Sequence, residues 1–248
     1  AFSGLEEIIN RRMNRQSIGF DKQRTTGNMS EKIIAYMRTE DLIEFGFESE
    51  FVGRLPVYVV LNELDVDGLY KILKNRFSTV ILGKKMDFLA YGIDLNFTDE
   101  ALYELAVRAH REKTGARGLL RVFEKLLIKF EKKLPSTGIK QLLVDLDVVQ
   151  NPEPYLEKLL LEDGVNQFQK EFLIEHGIYL TIDDAAKMKL LEKSKSENKK
   201  VRVLCNELFG DYFHGIRLMK LENFNIPGEA VDDPKAFLDA YIKKNYRQ

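Results

Sequence analysis

Two arginines stand where a guanidinium could meet a bound anion. Arg117 follows Gly115-Ala116 at the predicted start of a helix. The helix dipole makes that end a poor place for a cation. A bound phosphate reverses the balance, because the guanidinium and the free first-turn amides then face it together. The ordinary alternative is a solvated arginine. Arg54 lies in Glu50-Phe51-Val52-Gly53-Arg54-Leu55-Pro56, read as a tight turn ahead of a buried strand. Such a turn projects a side chain from a rigid base, and the ordinary alternative is a surface ion pair, for instance with Glu50. A third feature is Ile18-Gly19-Phe20, apolar residues inside a polar stretch. At an exposed loop tip they would act as a docking anchor; otherwise Phe20 folds back onto its own domain.

Other chemistries find less support. Cys205 is the single cysteine, so it can neither staple the fold nor complete a metal site. It reads as a small buried filler rather than a catalytic thiol, in a reducing compartment. His110, His176 and His214 are scattered without metal-ligand spacing. Gly83-Lys84-Lys85 lacks both the preceding glycine and the Ser or Thr of a phosphate-binding loop. The 38 basic and 39 acidic residues leave a net charge of -1, so no global field draws the chain to nucleic acid or acidic membranes. No apolar run approaches the ~20 residues that span a bilayer. The opening Ala1-Phe2-Ser3-Gly4 lacks a signal-peptide pattern and reads as a chain entered midway.

The elements that must position these residues follow from periodicity. The fold class is α/β, mainly helical. Ser3 and Glu6 have capping-box spacing ahead of Leu5, Ile8, Ile9 and Met13, which predicts a helix. Asn14 to Met29 reads as a long exposed loop. Thr39 is expected to cap a helix over Glu40–Phe45, ended by Gly46. Val57–Leu61 is continuous and β-branched, the pattern of a buried strand. A helical stretch from Val66 to Tyr91 is interrupted at Gly83 and stops at Gly92. Ile93, Leu95 and Phe97 then alternate as a strand. Thr98 opens a helix to Arg111, and Gly115 opens another whose stripe is Leu119, Leu120, Val122, Phe123, Leu126, Leu127 and Phe130. Leu142–Val149 reads as a strand, and Asn151-Pro152-Glu153-Pro154 as a linker.

Three stretches, in order, resemble the ClpX family of AAA+ ATPases: Ala1-Phe2-Ser3-Gly4-Leu5 followed by Ile18-Gly19-Phe20; Glu40-Asp41-Leu42 leading to Glu50 through Pro56; and Phe97-Thr98-Asp99-Glu100-Ala101 followed by Lys113-Thr114-Gly115-Ala116-Arg117-Gly118-Leu119. The resemblance runs to about Val149. It implies that residues 1–62 end an AAA+ large subdomain, that 63–150 are the small α/β subdomain, and that 151–248 are an additional, mostly helical module. It makes Arg117 the second nucleotide sensor, contacting ATP phosphate in cis, with Gly115 and Ala116 letting the backbone come close to the nucleotide. Arg54 becomes an arginine finger toward ATP on a neighbouring subunit of a hexameric ring. Ile18-Gly19-Phe20 becomes the loop that docks a ClpP-like peptidase, although the surrounding loop departs from the family. Unfolded proteins would be the substrates, and the location cytoplasmic. ATP or ADP with magnesium would be held mainly by segments this sequence lacks. With no phosphate-binding loop and no apolar run ending in Asp-Glu, the chain by itself is not expected to hydrolyse ATP.

The last hundred residues differ in tone. Helices are predicted at Pro154–Leu161, Asp183–Lys193, Val201–Leu218 and Pro234–Tyr246, with a polar loop over Ser194–Lys200. Phe209, Tyr212 and Phe213 are either core or anchors for a partner protein, the latter implying a non-enzymatic adaptor. Gly92 to Ala101 also echoes Gly177 to Ala186 at a constant offset of 85 residues, with Arg202 opposite Arg117 and Leu204 opposite Leu119. Residues 151–248 are thus either a degenerate copy of the preceding small domain or a chance match of a common strand-turn-helix pattern.

Overall fold

The computed structural model describes residues 2, 4–16, 30–61 and 63–245. Ser3 and the Ile18-Gly19-Phe20 tripeptide lie outside the described residues. The chain divides into two compact units, Ala1–Glu63 and Leu64–Gln248.

The first unit holds α1 (Leu5–Gln16), a 3-10 helix (Ser30–Tyr36), α2 (Thr39–Phe45) and α3 (Ser49–Gly53). Its core is Leu5, Ile9, Ile33, Leu42 and Val52. A buried ion pair ties α1 to α2. Arg12 Nε and Nη2 donate to Asp41 Oδ1 and Oδ2 at 2.7 and 3.0 Å, and Nη2 also donates to the Tyr36 carbonyl at 2.7 Å. The Arg38 amide donates to Asp41 Oδ2 at 2.7 Å. Arg38, not Thr39, is therefore the residue at the N-cap of α2, and Asp41 reaches back to its amide. Gly46 ends the helix at φ 119°, as expected of a left-handed cap.

Two expectations fail here. Glu50 to Gly53 coil into α3 rather than a turn. Val57–Leu61 forms no strand: Val57, Val59 and Leu61 are 71%, 74% and 86% exposed. A strand exists only by pairing, and an all-apolar one only with both faces covered. No described segment supplies either.

The second unit contains two parallel strand pairs, each surrounded by helices. The first half comprises α4 (Val66–Lys74), α5 (Thr79–Leu89), β1 (Asp94–Phe97), α6 (Asp99–Arg111), α7 (Ala116–Lys133), β2 (Gln141–Val144) and α8 (Leu146–Gln150). β1 and β2 pair in parallel with Leu95 opposite Leu142, over a core that includes Leu73, Phe88, Leu105, Phe123 and Phe130. The apolar stripe of α7 is buried except for Leu120, which is half exposed. The predicted break at Gly83 is misplaced. The chain turns at Asn75, whose side-chain oxygen accepts the Phe77 amide at 2.9 Å, while Gly83 continues α5. The strand expected to reach Val149 stops at Val144, because Asp145 accepts the Val148 amide at 3.0 Å and caps α8.

The second half comprises α9 (Pro152–His176), β3 (Tyr179–Ile182), α10 (Asp184–Glu197), α11 (Val201–Phe209), α12 (Tyr212–Leu218), β4 (Asn223–Ile226), α13 (Glu229–Asp232) and α14 (Pro234–Asn245). The supposed linker Asn151–Pro154 is the start of α9, a helix of 25 residues. Proline in the first turn loses no hydrogen bond and presets φ, so these prolines begin a helix instead of separating domains. Leu156 packs into the first core, and Leu161, Val165, Phe168 and Phe172 into the second. α10 extends through Glu197, shortening the expected loop to Asn198–Lys200. The helix predicted over Val201–Leu218 breaks at Gly210-Asp211. The break turns α12 to receive α14: a Cβ on Gly215 would lie 2.8 Å from Ile242 and 3.1 Å from Leu238.

The halves keep register. Gly92 and Gly177 enter the strands at φ 72° and 73°. Thr98 and Asp183 each accept the amide three residues on, Ala101 and Ala186, at 3.3 and 2.7 Å. β1, α6 and α7 begin at 94, 99 and 116, and β3, α10 and α11 at 179, 184 and 201, an offset of 85 each time. β3 pairs in parallel with β4, Leu180 opposite Phe224.

Candidate functional site

Arg117 stands on the first turn of α7, and its setting follows from a few local choices. Lys113 and Gly115 adopt φ 52° and 58°, so the chain reverses sharply out of α6. Gly115 occupies the N-cap position and offers no side chain, and no acidic residue lies in the first turn. α4, α6, α8 and α10 are all closed by Asp65, Thr98, Asp145 and Asp183. The leading amides of α7 therefore have no side-chain acceptor. Gly118 is a constraint that the sequence pattern did not single out. A Cβ there would lie 2.9 Å from the Ala109 carbonyl and 3.0 Å from Thr114 Oγ1. Its signal was legible as a second glycine three residues after Gly115. Without a side chain at 118, α7 can start hard against the end of α6.

The Arg117 guanidinium is exposed and has no hydrogen-bond or ion-pair partner among the described residues. The neighbouring acid Glu112 is taken by Arg121 at 3.2 Å. A helix start without a side-chain cap, the positive end of an 18-residue helix and an uncommitted guanidinium thus fall within one turn. That turn suits a phosphate.

Arg54 is the residue that ends α3, with φ -89° and ψ -6° and its amide bonded to Phe51 O at 3.1 Å. Its side chain is exposed and makes no ion pair with Glu50 among the described residues. Arg54 belongs to the first unit and Arg117 to the second. α3 is held through α2 and the Arg12–Asp41 pair, a contact between residues 29 apart that no local motif announces.

The other sequence candidates fall into structural roles. Lys84 is paired with Glu131 at 2.9 Å and Asp87 at 3.5 Å, so Gly83-Lys84-Lys85 is packed helix rather than a phosphate loop. Cys205 is fully buried, and burial pushes its thiol up to about 12. Phe209 and Tyr212 are buried, and Phe213 stacks on His176 at 4.1 Å between ring centroids. Phe209 and Tyr212 are core and Phe213 packs against it half-buried, so none of the three stands free as an anchor for the adaptor reading. Arg202, 85 residues after Arg117, is committed to Glu171 at 3.1 Å and Gln167 at 3.3 Å. Among the described residues no cluster of His, Cys, Asp and Glu could hold a metal ion, and no helix is long and apolar enough to cross a membrane.

Residues 64–134 match the family model described as the C-terminal, D2-small domain, of ClpB protein. The chain is also 38% identical over 162 residues to the ATP-dependent Clp protease ATP-binding subunit ClpX of Borrelia duttonii (strain Ly), and equally to that of Borrelia recurrentis (strain A1). Each alignment covers 65% of this chain but 37% of the relative, so the chain spans little more than a third of their length. The two kinds of match, one to a small-domain model and one to ClpX itself, support a ClpX-type AAA+ C-terminal part in this chain.

Proposed function

We propose that this chain is the nucleotide-responsive C-terminal region of a ClpX-like, ATP-dependent protein unfoldase. The observation that carries the reading is the corner at Arg117: an uncapped helix start, two small residues before the arginine, and a guanidinium with no acid of its own. In this reading Gly115 and Ala116 admit the ATP phosphates, and Arg117 follows their charge in cis. Arg54 reaches the γ-phosphate of ATP on the next subunit of a hexameric ring, where its planar fork stabilises charge on the transferring phosphoryl. ATP or ADP and magnesium are held mainly by a phosphate-binding loop elsewhere on the same polypeptide. Ile18-Gly19-Phe20 docks a ClpP-like peptidase, unfolded proteins are the substrates, and the setting is cytoplasmic. The exposed apolar segment Val57–Leu61 fits this reading, because a sheet elsewhere on the same polypeptide could cover and pair it.

The test is ATP turnover by the full-length protein. Arg117→Ala and Arg54→Ala each lower it by about 100-fold or more with circular dichroism unchanged. Mixed rings distinguish the two roles: doping Arg54→Ala subunits into wild type silences neighbours, whereas Arg117→Ala silences its own subunit. Normal turnover in both variants would refute the assignment.

We also infer that residues 151–248 are a second, degenerate copy of the small domain. The constant offset of 85 across a strand, two helix starts and a capping bond supports this. The copy has lost the features of the first corner. Lys200 replaces Gly115, and Arg202 is neutralised by Glu171. Phosphate sensing is therefore assigned to the first copy alone.

A further inference from the structure

We propose that the cleft where the two halves of the second unit meet binds a phosphate-bearing small molecule with an apolar body. The cleft has a volume of about 730 Å³ and lies between the end of α7, the middle of α9, the end of α10 and the start of α11. Small-molecule sites usually fall between about 300 and 1,000 Å³.

Its charge is lopsided. The cations on its walls are Lys132, Lys133, Lys195, Lys199, Lys200 and Arg202, against only Glu157 and Asp163. Three of the cations have partners: Lys195 with Glu157 at 2.6 Å, Lys199 with both Glu207 at 2.6 Å and Glu197 at 3.1 Å, and Arg202 with Glu171 at 3.1 Å. Asp163 keeps its charge while accepting from the Gly138 amide at 3.1 Å and from Gln167 at 2.8 Å. Lys132, Lys133 and Lys200 have no ion-pair partner among the described residues. Three ammonium groups without an ion-pair partner, set around one cavity against the single carboxylate of Asp163, favour a multiply charged anion. A phosphate chain matches that charge better than a single carboxylate does.

The floor supplies the second half of the specification. Leu160, Leu161, Leu191 and Val201 line the same cavity, with Leu161 and Val201 buried, offering apolar surface beside the cations. Gly164 fixes its shape. A Cβ at that position would lie 2.8 Å from Val201 and 3.0 Å from the Arg202 amide, so α9 and α11 close on each other there. The cleft is built from both halves and draws on neither Arg117 nor Arg54, so it stands or falls independently of the function proposed above.

Titration calorimetry on the whole chain, with inorganic triphosphate and with ATP as probes, tests the assignment. Both bind, and ATP binds at least about threefold more tightly because its adenosine covers the apolar floor. The double variant Lys132→Glu/Lys200→Glu weakens both by about tenfold or more, since each reversal removes one attraction and adds one repulsion. Titrating the Arg117→Ala background in parallel separates this cleft from the corner at the start of α7: the double charge reversal weakens both probes by the same factor in either background. Amide resonances of Gly138 and Gly164 shift with either probe. Both lysines are exposed, so the variant keeps the wild-type melting temperature. Failure of either probe to bind, equal affinity of the two probes, binding that survives the double charge reversal, or a charge reversal that acts only when Arg117 is present would overturn the proposal.

Discussion

Replacing Asp41 with asparagine puts the organisation of the first unit to a direct test. The Asp41 carboxylate is 1% exposed and accepts two bonds from Arg12 and one from the Arg38 amide. Asparagine keeps the shape but removes the charge, leaving an arginine side chain that is 14% exposed without its counter-ion. Breaking one partner of a buried pair costs about 3–5 kcal/mol, and the partial access of Arg12 to water sets the expectation near about 3. A unit of this size has only about 3–9 kcal/mol to lose, at roughly 0.05–0.15 kcal/mol per residue. Hydrogen–deuterium exchange in α1 and α2 therefore accelerates on the order of 100-fold, while α7 and α9 in the other unit stay unchanged. The wild type also carries a pH signature. Burial raises the Asp41 pKa, but the Arg12 hydrogen bond, the Arg38 amide and both positive charges outweigh it and hold the carboxyl below its usual value. A depressed folded pKa means that this stability is complete above about pH 4, the unfolded value, and drains away as pH falls through the lower one. Asp41→Asn lacks that acid-dependent loss. Exchange in α1 and α2 of the variant within about threefold of wild type would show that the ion pair does not hold these helices together.

Further outcomes follow from the second unit. Thr98→Ala and Asp183→Ala each remove an equivalent helix cap and lower stability by about 1 kcal/mol apiece in thermal denaturation, with additive effects in the double variant. Cys205 does not react with a thiol reagent at pH 8 in the folded chain, because burial pushes its thiol up to about 12, and it reacts at once in denaturant.

What the sequence announced, and what it concealed, divides along the range of the forces involved. Local signals were legible: the alternation of Ile93, Leu95 and Phe97, the Thr98 cap, the stripe of α7 and the left-handed Gly46. Each is decided within a few residues of its own position. Readings that needed a distant partner failed. Val57–Leu61 has the composition of a strand, but composition supplies no hydrogen-bonding neighbour. Asn151–Pro154 has the composition of a linker, but the apolar residues after it bind two cores and carry the helix through. The corner at Arg117 was legible through Gly115 and the arginine itself. The Arg12–Asp41 pair and the cationic cleft were not, because each is assembled from segments far apart in the chain. The echo at 85 residues was faint as letters and plain as geometry, in the strand starts, the caps and the positive-φ glycines.

α9 has a mechanical consequence. At about 1.5 Å per residue its 25 residues make a rod about 37 Å long. Its first turns are embedded among the side chains that also anchor α7, and its remainder among those around β3 and β4. A hinge needs a stretch of backbone free to change φ and ψ, and the junction between the halves has none. A tilt of α7 by a few degrees would therefore swing the far end of the rod through a larger arc, with α10 to α14 carried along as cargo. The tail would then act as a pointer that magnifies small rotations at the corner where Arg117 sits.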